Sequence, residues 1–252
     1  LIAAEEYEGL DVAAYSSRID DLAAGAADRV GGARLDTNPR ELIDRYHAYL
    51  FEEMGFRGNE DDYYDPKNSF LNDVLDRRTG IPISLAAIYV EVARRQGWPV
   101  RGVGFPGHFL AKWELDEGEV VVDPFFGTVV TEGDCRELLT RVSNGQIAFR
   151  RELLAPLPTR GILARMLANL KGVWVKRGDF VRAISACDRI LLLVPEAVIE
   201  YRDRGLLWGK LECHRPALAD LERYLSHAPR AADARTVREQ AANLRGQIAR
   251  LC

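Results

Sequence analysis

No apolar run in the chain approaches the roughly 20 residues needed to span a bilayer; "ILLLV" at 190–194 is far too short. The opening residues, "LIAAEEYEGLDV", carry acid where an export signal needs positive charge, so none is expected in them. A basic stripe is missing as well. The 34 Lys and Arg are dispersed among 38 Asp and Glu, which argues against nucleic acid and membrane partners. Cysteine is scarce: Cys135, Cys187, Cys213 and Cys252 are far apart and form no CxxC pair. They read as reduced thiols of a cytoplasmic protein, not as a disulfide framework or a zinc site. Cys213 and His214 could supply two metal ligands, but no second pair accompanies them, so no metal is expected.

What is present suits a globular protein with a sizeable core, in one large or two smaller domains: 47% of 252 residues are hydrophobic and 29% charged. In "AAYSSRIDDLAAGAADRV" (13–30), Tyr15, Ile19, Leu22 and Ala26 recur at three- and four-residue intervals, one face of a helix stopped by Gly31 and Gly32. A second helix is expected over 38–55, with Asn38 as cap, Pro39 in the first turn, Gly55 at the end, and a stripe of Leu42, Ile43, Tyr46, Tyr49 and Leu50. "RGNEDDYYDPKN" (57–68) is an acidic, turn-rich loop without calcium-loop spacing. A further helix over 68–78 should be capped by Asn68 or Ser69.

Near residue 98 the pattern turns strand-like in "PVRGVGF", "HFLAKWEL" and "EVVVDPF", with the turn between the last two at Asp116–Gly118. Helical pattern resumes near Asp134, and the proline-bearing "LLAPLPTRG" (153–161) is a domain boundary. Beyond it an offset of 34 residues pairs Trp174 with Trp208, Ala183 with Ala217 and Pro195 with Pro229, the period of tetratricopeptide helix pairs. The small residues let two helices approach, the tryptophans fill the space between them, and the prolines end each second helix. An ordinary helical hairpin bundle is the alternative. The expected architecture is α+β: residues 1–155 a domain with N-terminal helices and a small antiparallel sheet, residues 156–252 two such repeats and a terminal helix.

The candidate chemistry sits on "GIPISLAAIYVEVARRQG" (80–97). Pro82 suits a first helical turn, Leu85, Ile88, Tyr89 and Val92 form a buried stripe, and Gly97 ends the helix. Ser84 therefore lies among the unpaired N–H groups of a helix start, where an anionic nucleophile or an oxyanion is stabilised. A short turn joining strands of similar length sets His108 and Asp123 at the same end of a hairpin. Ser84 as nucleophile, His108 as general base and Asp123 as its orienter would form an acyl-transfer site. Each residue also has a plain alternative: Ser84 a helix-start hydrogen bonder, His108 a buried structural histidine, Asp123 a turn former. The order Ser–His–Asp matches none of the common serine-enzyme orders, and there is no G-x-S-x-G elbow. A nucleophile on a helix followed by His and an acid or amide on strands is the arrangement of papain-like cysteine enzymes.

The run from Asn68 to Trp113 together with "VVDPF" resembles the transglutaminase-like superfamily, most closely its SirB branch, which joins such a domain to tetratricopeptide repeats. The resemblance covers roughly residues 35–230. It implies a papain/transglutaminase-like fold, with Ser84 at the position of the catalytic Cys, His108 at that of the His and Asp123 at that of the Asp. The branch commonly has Ser there and no settled activity. It implies a binding or regulatory protein with weak or no acyl chemistry; an active Ser-dependent hydrolase or acyltransferase and a repeat-based scaffold are the alternatives. Asn72, upstream of the nucleophile, is a candidate oxyanion donor or else an ordinary polar contact. Arg77 and Arg78 could attract an acidic substrate, or simply be solvated helix-end charges. Trp98 could wall a pocket or fill the core. No cofactor is implied, and the repeats would meet a protein or peptide partner.

Overall fold

The computed structural model describes residues 2–250 and divides into two compact units, Leu1–Ile162 and Leu163–Cys252. In the first, helix α1 (Val12–Val30) is capped by the Asp11 carboxylate, which accepts from Ala14 N, and ends at Gly31 with φ +60°. Its stripe is Ile19, Leu22, Ala23, Ala26 and Val30, all buried, with Tyr15 packed against the same core. Helix α2 (Pro39–His47) takes Asn38 as cap and loosens into a π-helical turn, Ala48–Glu53, before Gly55. The stripe from Leu42 to Leu50 is buried as its spacing predicts.

Two features depart from the expectations above. The 57–68 segment begins with a strand, β1 (Arg57–Gly58), paired in parallel with β2 (Thr79–Gly80). Helix α3 (Leu71–Arg77) starts later than expected, and neither Asn68 nor Ser69 caps it: its N-cap is Phe70, with no side-chain bond. Asn68 is fully buried and occupied elsewhere.

Helix α4 (Pro82–Arg95) follows, with Leu85, Ile88, Tyr89 and Val92 buried. The sheet is antiparallel in the order β3 (Val100–Val103), β4 (Leu110–Leu115), β5 (Gly118–Asp123), β6 (Thr128–Val130). Leu115 pairs with Gly118, so the β4–β5 turn is Asp116–Glu117. Alternation splits the sheet between two cores. Val100, Ala111, Trp113 and Val122 pack with α1, α2 and α4, whereas Val103, Leu110 and Val121 pack with Cys135 and Leu139 of helix α5 (Glu132–Ser143). Trp98 fills the first core, with ring centroids 5.1 Å from Tyr46 and 5.9 Å from Trp113.

The second unit is helical: α6 (Thr159–Arg177, which starts in the first unit), α7 (Phe180–Leu193), α8 (Ile199–Lys210), α9 (His214–His227) and α10 (Ala234–Arg250). Ala183 and Ala217 are fully buried at the helix approaches. Gly205 lets α8 close on α9, since a Cβ there would lie 2.8 Å from Leu221 Cδ2. Buried charge ties the helices as well. Lys171 of α6 donates to Glu200 and Asp203 of α8 at 2.7–2.8 Å, and Arg204 of α8 forks onto Asp220 of α9 at 2.6 and 2.7 Å. Burial alone would lower the Lys171 ammonium, but the hydrogen bonds to Asp203 and Glu200 outweigh it and hold it above its ordinary value. Among the described residues no helix is long and apolar enough to cross a membrane.

Candidate active site

His108 is presented by a tight turn. His108 N donates to Phe105 O at 3.1 Å, Pro106 and Gly107 lie between, and Gly107 has φ +68°. Pro then Gly at those two places is the preference of a type II turn. The turn delivers the ring to the end of β4, and the β4–β5 register (Ala111 opposite Val122) brings Asp123 beside it. The His108 Nε2 to Asp123 Oδ2 distance is 2.7 Å. A carboxylate can only accept, so Nε2 carries the proton and the imidazole turns its Nδ1 edge away from Asp123. The second oxygen, Asp123 Oδ1, accepts from Phe125 N at 3.0 Å. Asp123 is thus both an orienter of the imidazole and a turn former.

Ser84 occupies the third position of α4 and is fully buried. Its Oγ donates to Asn68 O at 2.6 Å, lies 3.1 Å from Ile81 O, and accepts from Ile81 N at 3.0 Å. A hydroxyl has one proton, and here Asn68 holds it. The oxygen instead finishes the helix start, since Ile81, at the N-cap, has no side-chain acceptor of its own. Gly80 borders this hydroxyl tightly: a Cβ there would stand 2.6 Å from Ser84 Oγ.

Asn68, for which the sequence offered only a capping role, is the connecting residue. Its carbonyl takes the Ser84 proton, while its amide Nδ2 donates to Asp62 O at 2.7 Å and lies 3.3 Å from Tyr63 O. Its Oδ1 accepts from Asn59 Nδ2 at 3.0 Å. One buried asparagine thereby joins the start of α4 to the acidic 59–65 loop. Asn72 is 6% exposed, and its Oδ1 has no hydrogen-bond partner. Arg77 is paired with Asp65 at 2.8 Å, and Arg78, with φ +54°, terminates α3.

The described cysteines form no disulfide. Cys135, Cys187 and Cys213 are free; Cys252 lies outside the described residues. Burial, and behind it the charges of Asp134, Asp123 and Glu132, push the Cys135 thiol up to about 11, which leaves it inert near neutrality. Among the described residues, no group of three or more His, Cys, Asp and Glu side chains could hold a metal ion.

Residues 13–168 match the transglutaminase-like superfamily, and residues 170–242 match a tetratricopeptide repeat. The chain belongs to the transglutaminase-like superfamily. It is 41% identical over 233 residues to a UPF0162 protein of Xylella fastidiosa, covering 91% of this chain and 82% of that one. A UPF0162 protein of Pseudomonas aeruginosa is 31% identical, over 89% and 81% of the two chains. F-box only protein 21 of Homo sapiens is 33% identical over 170 residues, which are 63% of this chain and 26% of that much longer protein. A superfamily domain followed by repeats thus accounts for both halves of the chain, and the α+β and helical parts of the fold correspond to them.

Proposed function

We propose that this is a binding or regulatory protein of the SirB type, in which a transglutaminase-like scaffold carries little or no acyl chemistry and the repeats engage a protein partner. The observation that carries the reading is the hydroxyl of Ser84, wholly buried, with its proton on Asn68 O and its lone pair toward Ile81 N. A serine nucleophile is activated by a base that removes its proton during attack. To act here, Ser84 would first have to give up two backbone hydrogen bonds, leaving the Asn68 carbonyl and the Ile81 N–H only their own 3.4 Å contact, at a cost of roughly 0.5–1.5 kcal/mol for each bond lost. The free thiols suit a cytoplasmic setting. The occurrence of this stretch inside F-box only protein 21, as about a quarter of that protein, suits a module that works beside other domains.

An active Ser–His–Asp hydrolase or acyltransferase is the second reading, favoured by the 2.7 Å contact between His108 and Asp123. A serine-directed fluorophosphonate separates the two. The wild-type chain is expected to stay unlabelled, like Ser84→Ala and His108→Ala. Labelling that disappears in both variants would establish the enzyme and overturn the binding reading.

A further inference from the structure

Beside the His108–Asp123 pair runs a chain of aromatic rings that starts from the core at Phe125 and continues onto the exposed surface. Phe126 lies against His108 with nearly parallel rings, 15° and 6.4 Å apart, and meets Phe125 edge to face at 4.9 Å. Phe125 in turn meets Tyr63 at 6.4 Å, and Tyr63 meets Tyr64 at 5.4 Å. Only Phe125 is buried; Tyr63, Tyr64 and Phe126 are 40%, 52% and 57% exposed. Single exposed aromatics are common, but a connected run of them marks an interaction surface.

The run is also held in place. Gly58 N donates to Phe125 O at 3.0 Å, stapling the loop to the turn after β5. Asn59 Oδ1 accepts from Asp62 N, and the buried Asn68 amide grips the carbonyls of Asp62 and Tyr63. Anchoring of this kind removes an ordering cost from binding. The residues that fix the loop lead through Asn68 to Ser84, so the serine supports the surface that flanks it.

Charge selects the partner. Glu60, Asp61 and Asp62 are exposed at the tip of the loop, directly before the two tyrosines. The loop's own cations, Arg57 and Lys67, stand at its two ends, and Asp65 is already paired with Arg77. A metal ion does not fit, since these carboxylates form no group that could hold one. A guanidinium or ammonium does, because it can lie over a ring face while a carboxylate meets its N–H groups.

We propose that this face binds an Arg- or Lys-bearing segment of a partner protein, with the cations laid over Tyr63, Tyr64 and Phe126 and met by Glu60, Asp61 and Asp62. The inference rests on the reading of the site as a binding surface and names the chemistry of what it binds.

The test is fluorescence anisotropy of the full chain with a labelled peptide of alternating Arg and Ser, beside its Glu–Ser counterpart, at near-physiological salt. The arginine peptide should bind and the glutamate peptide should not. Tyr64→Ser and Phe126→Ser should each weaken binding about fivefold, and Glu60→Gln/Asp61→Asn/Asp62→Asn about tenfold. The control Asp116→Asn/Glu117→Gln/Glu137→Gln, which removes as much charge elsewhere on the exposed surface, should leave binding unchanged. No binding of the arginine peptide, no effect of the two aromatic variants, or an equal loss in the control would overturn the proposal. Failure here with Ser84 unlabelled by fluorophosphonate leaves the non-catalytic reading standing. Labelled Ser84 with intact peptide binding would overturn that reading and keep this surface.

Discussion

Ser84 Oγ donates its one proton to the carbonyl of Asn68 at 2.6 Å, and both residues are completely buried. The volume around that oxygen is bounded by Asn68, Ile81 and the close backbone of Gly80. Sulfur is larger, makes longer bonds, and cannot sit 2.6 Å from a carbonyl oxygen. Ser84→Cys is therefore expected to destabilise the first unit by about 1–3 kcal/mol without yielding a reactive thiol. Urea unfolding would measure the loss, and a thiol reagent applied to the native protein would read the reactivity. Rapid modification of Cys at this position would show that the site still accommodates sulfur.

A second buried chain of polar contacts supports a pH prediction. Trp113 Nε1 donates to Tyr89 OH at 2.8 Å, leaving the phenol proton for His47 Nε2, also at 2.8 Å. Burial lowers the His47 pKa to about 4, well below the ordinary 6.5. Between those values the unfolded chain binds a proton that the folded one does not. The contribution of neutral His47 is thus fully present above about pH 6.5 and is lost as pH falls toward 4, by up to roughly 3 kcal/mol. Stability measured against pH should fall more steeply in wild type than in His47→Gln. Parallel curves would refute the assignment.

In the repeat unit, Lys171 neutralises two carboxylates at once, and Glu200 is itself buried. Lys171→Met leaves that charge uncompensated and should cost about 3–5 kcal/mol. The double variant Lys171→Met/Glu200→Leu should recover much of the loss. Thermal melts of the two variants give the comparison; equal melting temperatures would mean that the pair is not coupled.

Gly205 is held to its size by its neighbours. A methyl there meets Leu221 Cδ2 at 2.8 Å and the Ala217 carbonyl at 3.1 Å. Leu221 is a core residue that cannot retreat into solvent. Gly205→Ala should lower stability by about 1–3 kcal/mol despite the better helix propensity of alanine. A gain in melting temperature would contradict this.

Much of the architecture is written in local patterns. Ile19, Leu22 and Ala26 mark α1 through helical spacing, Asn38 and Pro39 mark the start of α2, and the 34-residue offset by itself exposes the repeats. The nearness of His108 and Asp123 follows from a two-residue turn, because register propagates along a hairpin. What the sequence leaves out is long-range. Arg57–Gly58 pairs with Thr79–Gly80 across more than twenty residues, and two-residue strands carry no alternation to detect. Asn68 resembles any helix cap in sequence; only its burial reveals that its backbone serves Ser84 and its side chain serves the loop. The aromatic run is hidden for the same reason, since Tyr63 and Phe125 are neighbours only after folding.

Gly58 lacks a side chain where the Phe125 ring fills the space: a Cβ there would lie 2.5 Å from two of its carbons. Two positions separated by a long stretch of the first unit consequently share one volume. A chain that enlarges position 58 must move or shrink the ring at position 125, and with it the link between Tyr63 and Phe126. Size at one of these two sites is therefore expected to trade against size at the other wherever the rings keep this arrangement.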